Sequence, residues 1–143
     1  MRIIEVLKTK QHQDVVTITP DAGVRELVRA LSEHNIGALI VSSDGTAMDG
    51  IVSERDVVRR MHSDGTVIDN TVGGIMTEVV QTCSPDDDLD DVMRVMTEGR
   101  FRHIPVCEGD RLVGIVSIGD LVKHKIDQLQ FERDQLDSYV HQT

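Results

Sequence analysis

The sequence predicts an α/β fold made of two tandem copies of one β-α-β-β-α unit, followed by a C-terminal helix. Three observations predict it: the second half repeats the first, apolar residues follow helical and strand spacings within each copy, and the core residues are almost all branched aliphatics. The 143 residues fit one ordinary domain or two small halves that share one core. A hydrophobic content of 39%, nearly without aromatics, suits short buried strands covered by helices.

The repeat is clearest when residues 19–21 (TPD) are placed over residues 84–86 (SPD). At this offset of 65 the apolar residues of 24–31 fall on those of 89–96. The offset falls to 64 further on, where Gly-Ile-Val-Ser occurs in both copies. The turn-forming residues 42–46 lie in the stretch where the offset changes, so we expect the length difference in a loop.

Each copy opens with three predicted elements: a short lead-in helix, a short strand and an amphipathic helix. In the two copies these fall at residues 3–7 and 72–76, at 14–18 and 79–83, and from Thr19 and from Ser84 onward. Thr19 and Ser84 are predicted N-caps, because each precedes a proline at the first helical position and acids in the first turn. The apolar residues that follow recur at i, i+3, i+4 and i+7.

Each copy closes with a predicted hairpin and a second helix. The hairpin strands fall at residues 38–41 and 50–52 in the first copy, and at 103–106 and 112–116 in the second. Ser53 and Ser117 open the second helices. Residues 120 to about 139 lack Pro and Gly and are predicted to form one long polar helix.

We therefore divide the chain into four segments: a first repeat (1–61), a connector with a lead-in helix (62–78), a second repeat (79–126) and a helical tail (127–143). Near the tail, Ile126, Leu129, Leu136 and Val140 fall at a/d-like heptad spacing, with Arg133 interrupting the seam. This segment is either a pairing arm between subunits or a helix that packs on its own domain or frays into solvent.

The composition excludes several functions. A formal net charge of −10 opposes nucleic-acid binding, which needs a basic face. No run approaches the ~20 apolar residues of a membrane span, and the first residues do not read as a signal peptide. Cys83 and Cys107 form no metal or redox motif, so we interpret them as reduced thiols of a cytoplasmic protein.

Two segments carry a family resemblance. GIVSERD (50–56) and GIVSIGD (114–120) resemble the closing signature of CBS domains, in which Gly and two apolar residues precede Ser or Thr, two variable residues and Asp. RHIPV (102–106), VGGIMT (72–77) and NIGAL (35–39) are similar to other segments of that family. The resemblance covers roughly residues 1–126. It implies a Bateman module, in which two CBS domains pack sheet to sheet with pseudo-two-fold symmetry around two clefts for adenosyl ligands, and which commonly forms a homodimer.

The signature also has a direct chemical interpretation. A Ser at a helix start, together with free backbone N–H groups and the helix dipole, forms an anion site. An ionised Asp accepts hydrogen bonds and suits the hydroxyls of a ribose. The alternative is a helix capping box, which needs no ligand. By resemblance, Asp56 and Asp120 hold ribose hydroxyls, and Ser53 and Ser117 contact ribose or phosphate.

By resemblance, an apolar slot in each copy holds adenine. The second slot is lined by Ile104, Pro105, Met76 and Thr82, and the first by Leu39, Ile40, Leu7 and Thr17. Ordinary core positions are the alternative for the apolar members. Arg55 is the best phosphate partner, ahead of Arg102, Arg59 and Lys8, with solvated surface charge as the alternative.

The two clefts are expected to differ in affinity or in ligand. Ile118-Gly119 replaces Glu54-Arg55 in the second signature, and Arg102-His103 stands where the first copy has Gly37-Ala38. Ala38 and His103 therefore join the candidate binding residues.

No catalytic or metal-binding constellation is recognised. The scattered histidines lack a ligand spacing, and the acidic run at 86–91 fits a helix N-terminus. We therefore predict a non-enzymatic regulatory module that binds AMP, ADP, ATP or NAD and signals to a partner protein. The alternative is a structural interaction module whose clefts are empty or vestigial.

Overall fold

Both copies form the predicted elements in the predicted order. The structure, a computed structural model, describes residues 1–10, 17–78 and 81–141. The elements are α1 (Ile3–Thr9), β1 (Thr17–Ile18), α2 (Val24–His34), β2 (Ala38–Val41), β3 (Gly50–Ser53), α3 (Glu54–Ser63), a 3-10 turn (Val67–Asp69), α4 (Val72–Ile75), α5 (Leu89–Gly99), β4 (His103–Glu108), β5 (Arg111–Ser117) and α6 (Ile118–Val140). Of the first strand predicted in each copy, residues 14–16 and 79–80 lie outside the described residues.

The same strand pairing occurs in both copies. β1 runs parallel to β2, which pairs antiparallel with β3, so that Leu39 faces Val52. β4 pairs antiparallel with β5, so that Ile104 faces Val116, and Cys83 forms a parallel bridge to Val106 in the place that β1 takes in the first copy. The predicted hairpins are confirmed.

The amphipathic helices begin later than predicted. α2 begins at Val24 and α5 at Leu89, where the Asp88 side chain accepts a hydrogen bond from the Asp90 N–H. The predicted caps Thr19 and Ser84 instead open turns, in which their carbonyl oxygens accept hydrogen bonds from residues three positions on. The prediction was wrong because the fixed φ of proline suits the second position of a turn as well as it suits the start of a helix.

The two lead-in helices are exchanged between the copies. Ile3 and Val6 of α1, both fully buried, pack in the core of the second copy. Val72 and Ile75 of α4 pack in the core of the first copy. The Ile3 N–H also donates to the Asp87 carbonyl oxygen over 3.0 Å. We expected each lead-in helix to belong to the copy that follows it in the sequence. This expectation is wrong, because each of the two helices packs in the core of the other copy.

The remaining face of each sheet lies between the copies. In β2, Leu39 belongs to the helix-side core, whereas Ala38 and Ile40 are buried but belong to neither core cluster. This alternation is expected, because successive strand residues point to opposite faces. From the other copy, the His103 imidazole approaches Gly37 so closely that a Cβ there would lie 3.4 Å from Nε2. The predicted sheet-to-sheet arrangement is confirmed.

The predicted long C-terminal helix is confirmed as α6, which has 23 residues and is about 35 Å long. Its start packs on the second copy through Leu121, which is fully buried. From Leu129 onward every described residue is exposed.

Candidate functional site

The second-copy site is the start of α6. Ser117 caps this helix: its Oγ accepts from the Asp120 N–H over 3.0 Å, and Asp120 Oδ2 accepts from the Ser117 N–H over 2.9 Å. Lys10, which follows α1, places its Nζ 3.0 Å from the same Oδ2 and donates to the Ile115 carbonyl oxygen over 2.7 Å. The exchange of the lead-in helices thus places a cation against the signature aspartate of the other copy.

The Asp120 carboxylate is ionised at neutral pH. Burial raises the pKa of Asp120, but the Ser117 backbone N–H and the Lys10 ammonium together lower it by more, so the pKa lies below its ordinary value. Sequence analysis missed Lys10, because no local pattern shows that the segment after α1 crosses to the second copy.

The first-copy site has the same cap and a different neighbour. Asp56 Oδ2 accepts from the Ser53 N–H over 2.8 Å, and the Asp56 N–H donates to Ser53 Oγ over 3.3 Å. Thr77 Oγ1 donates to Asp56 Oδ1 over 3.3 Å. Thr77 is held there by antiparallel pairing with Ile51. The signature carboxylate therefore contacts a neutral hydroxyl in the first copy, through Oδ1, and an ammonium group in the second, through Oδ2.

Both signatures form capping boxes, as the ligand-independent interpretation expects. The first N–H of each helix is also used, since Ile118 donates to the Arg102 carbonyl oxygen over 2.8 Å and Glu54 donates to that of Gly37 over 3.1 Å. Fewer free N–H groups remain for an anion than the sequence suggested. A ligand would have to use the carboxylates and nearby cations.

The proposed adenine-slot residues divide into three groups. Leu39 and Ile104 lie in the helix-side cores, while Ala38, Ile40 and Pro105 are buried in the strands that line the face between the copies. Thr17 is half-buried in β1, and Thr82 is exposed. The buried positions of Leu39 and Ile104 agree with the core alternative.

Leu7 and Met76 lie in the copies opposite to those predicted. Leu7 packs on the second copy, where a Cβ on Gly114 would meet its Cδ2 at 2.7 Å. Met76 packs on the first copy, where a Cβ on Gly50 would meet its Sδ at 2.9 Å. The exchanged lead-in helices explain both corrections.

A cleft of about 240 Å³ opens beside the second copy. Thr82 and Ile104 line it together with Val92 and Val95 of α5 and two acids, Asp87 and Asp91. The structure thus brings two of the four residues predicted for the second slot to one cavity. Ser117, Asp120 and Met76 are outside that lining.

The arginine candidates and Lys8 are exposed. Arg55 extends from the first turn of α3, Arg102 precedes β4, and Arg59 and Lys8 lie on helix surfaces. His103 is half-buried, and its pKa is lowered by burial and by Lys10, against the opposing effect of Asp120 and Glu54. A Cβ on Gly37 would lie 3.4 Å from His103 Nε2 and 3.6 Å from Glu54 Oε1, so the His103 and Glu54 side chains both approach Gly37.

Other chemistry has little support in the part of the chain that the structure describes. No group of three or more His, Cys, Asp or Glu side chains is arranged to hold a metal there. None of the described helices combines the length and apolarity needed to cross a bilayer. Cys83 and Cys107 are free thiols, and burial raises the pKa of Cys83 to about 12, which disfavours its reactive thiolate.

Comparisons with known proteins agree on one family. A profile of the CBS domain matches residues 5–63 and 72–127. A mitochondrial CBS domain-containing protein of Arabidopsis thaliana is 37% identical over 127 residues. The aligned region is 85% of this chain and 62% of that relative, so the chain spans less than two thirds of the relative's length.

Solved structures show the same fold. A CBS-domain containing protein from Agrobacterium tumefaciens is 38% identical, with a TM-score of 0.82 over 87% of this chain and 99% of that chain. A CBS domain pair solved in complex with 5′-methylthioadenosine and S-adenosyl-L-methionine has a TM-score of 0.77 over 90% of this chain and 98% of its own. At 22% identity this second likeness shows the fold alone.

Proposed function

The chain belongs to the CBS domain family, and we propose that it is a regulatory module that binds an adenine nucleotide and signals its occupancy to a partner protein. The observation that carries this proposal is the pairing of the ionised Asp120 with the Lys10 ammonium, 3.0 Å apart at the start of α6. Such a pair offers an acceptor for ribose hydroxyls and a cation for phosphate within the reach of one nucleotide.

Further features support a ligand of this class. A CBS domain pair of the same fold was solved with two adenosyl compounds. In this chain, the half-buried strand start at His103 and the exposed Arg102 lie next to the α6 cap, since the Arg102 carbonyl oxygen accepts from the Ile118 N–H. We propose AMP, ADP, ATP or NAD as the ligand and a cytoplasmic homodimer as the working form.

The competing function is a structural interaction module with vestigial clefts. Its support is that both signature aspartates are already engaged: Asp56 by Ser53 and Thr77, and Asp120 by Ser117 and Lys10. In this case the capping boxes would serve the fold alone.

Thermal shift and calorimetry with AMP, ADP, ATP, NAD and adenosine separate the two functions. We expect at least one nucleotide to raise the melting temperature, because a ligand that binds only the folded state stabilises it. Asp120→Asn keeps the shape of the side chain and removes its charge, and it should weaken nucleotide binding about tenfold or more, the loss of one charge-assisted hydrogen bond. Asp56→Asn is the matched variant in the first copy.

The proposal fails if none of these compounds shifts the melting temperature, which would favour the structural module. If nucleotide binds and Asp120→Asn binds with wild-type affinity, the second-copy site is wrong.

A further inference from the structure

The outer part of α6 lacks packing partners in the described part of the chain. Residues 129–141 are all exposed. A helix of this length is marginal in water without tertiary contacts. Something outside the domain is therefore needed to hold the segment helical.

An apolar seam runs along this helix. Its positions alternate at spacings of four and three residues, the pattern of a two-stranded coiled coil. Five positions are apolar and between 39% and 66% exposed: Val122, Ile126, Leu129, Leu136 and Val140. Arg133 occupies the remaining position.

The seam does not face the domain. The side of α6 that packs on its own copy carries Leu121, His124 and Lys125: His124 Nε2 is 2.7 Å from Thr9 Oγ1, and Lys125 bonds to Asp90 of α5. At 100° per residue the centre of the seam lies about 100° from Leu121, about 160° from His124 and about 60° from Lys125. It is thus open to a second molecule.

We propose that this seam pairs in antiparallel orientation with the same seam of a second copy of the chain. The inference rests on the homodimer proposed above and names its surface and its orientation. It does not require nucleotide binding.

Charge argues against the parallel arrangement. Parallel helices would place identical residues in each layer, so Arg133 would face Arg133 of the partner subunit inside the seam. They would also place Glu132 beside Asp137 of the partner subunit, twice per dimer. Like charges at such positions set the orientation by repulsion.

Antiparallel pairing removes the Arg133 conflict and reduces the like-charge contacts beside the seam from two to one. With Arg133 set against Leu129 of the partner subunit, Ile126 meets the partner's Leu136 and Val140 meets the partner's Val122. Lys123 then lies beside Asp137 of the partner subunit at both ends of the seam. The two Glu132 carboxylates meet once, near the axis, as the one like-charge contact that remains.

Sedimentation of the full chain over a concentration series tests the surface. Leu136→Glu places a charge in the seam and should weaken the dimer about tenfold or more. Phe131→Glu adds the same charge to the same helix, at a side chain that is 62% exposed but lies off the seam, and should leave dimerisation unchanged. Both sites are exposed in the single chain, so the domain should stay folded. Circular dichroism should show no change for Phe131→Glu and, for Leu136→Glu, at most the loss of the helical signal of residues 129–141.

A charge exchange tests the orientation. Lys123→Glu should weaken the dimer severalfold, and adding Asp137→Lys should restore it, since only the antiparallel form sets these two residues side by side. Failure of the double variant to restore dimerisation overturns the antiparallel arrangement.

The outcomes separate this inference from the proposals on which it depends. A wild-type chain that stays monomeric overturns both the homodimer and the seam. A wild-type dimer that Leu136→Glu leaves intact overturns the seam alone. Neither result changes the nucleotide titrations.

Discussion

The two signature sites share one backbone design and differ in what the exchanged segments bring to them. Ser53–Asp56 and Ser117–Asp120 form the same capping box at the same point of the repeat. The residues that reach the carboxylates are Thr77 in the first copy and Lys10 in the second. The two copies thus share the cap. The charge of each site is set by the segment that follows the exchanged lead-in helix, which carries Lys10 after α1 and Thr77 after α4.

The largest expected effect tests the exchange itself. Ile3→Ala should lower the free energy of unfolding by about 3 kcal/mol, because it removes a fully buried side chain from the second core. Urea denaturation of double variants distinguishes the copies. Ile3→Ala should couple to Leu89→Ala, in the same cluster, and be additive with Leu27→Ala in the first. Coupling to Leu27 would contradict the exchange.

Two matched glycines sharpen the comparison at a smaller scale. A Cβ on Gly50 would meet the Thr77 carbonyl oxygen at 2.7 Å, whereas one on Gly114 would meet the end of the flexible Leu7 side chain at 2.7 Å. Gly50→Ala should therefore destabilise by about 2 kcal/mol, and Gly114→Ala by about 1 kcal/mol or less. Chemical denaturation measures both, and equal losses would show that the two lead-in contacts are equally rigid.

Ligand binding should depend on Lys10 more than on Arg55. Lys10→Met should weaken the binding of AMP about tenfold, or about 1.4 kcal/mol, and that of adenosine less, because only AMP carries a phosphate for the ammonium group. Arg55→Met is the control in the first copy. Calorimetry with both ligands checks this, and a loss confined to Arg55→Met would move the primary site to the first cleft.

The smallest effect is a pH dependence confined to the second copy. The pKa of His103 is lowered by burial and by Lys10, so the unfolded chain takes up a proton more readily than the folded one. The contribution of His103 is fully present above about pH 6.5 and declines as the pH falls from there toward the folded pKa. Ala38 stands at the equivalent place and cannot titrate.

His103→Gln should flatten this decline in denaturation measured at a series of pH values. Asp120 acts in a more acidic range. Because its pKa is lowered in the folded state, its contribution to the free energy of unfolding is present above the ordinary carboxyl pKa and is lost as the pH falls below it. An unchanged profile in His103→Gln would show that the histidine does not sense the folded environment.

Local patterns predicted what local physics determines. The hairpins, the helix starts at Ser53 and Ser117 and the long α6 each depend on neighbours within a few residues, and the structure confirms them. The helix starts after Thr19 and Ser84 were misplaced, because turn and helix compete for the same residues over that distance.

What could not be predicted depends on contacts far apart in the sequence. The apolar pattern indicates that Leu7 and Met76 lie on the packed face of their helices. It does not show which of the two copies that face packs against. Lys10 meets Asp120 across more than a hundred residues, so nothing near either residue indicates the pair. The copies assigned to Leu7 and Met76 were wrong. That the residues predicted by resemblance hold adenine stays a prediction.

The exchange of α1 also bears on how the chain matures on the ribosome. The core of the first copy draws on residues 18–76 and can close while the second copy is still being made. Ile3 and Val6 precede the first copy in the sequence, yet their partners in the core extend to Leu121. Contacts over such separations form slowly. α1 is synthesised before the rest of the second copy, yet it is expected to be among the last elements to pack, and until then its apolar face stays exposed and able to bind chaperones.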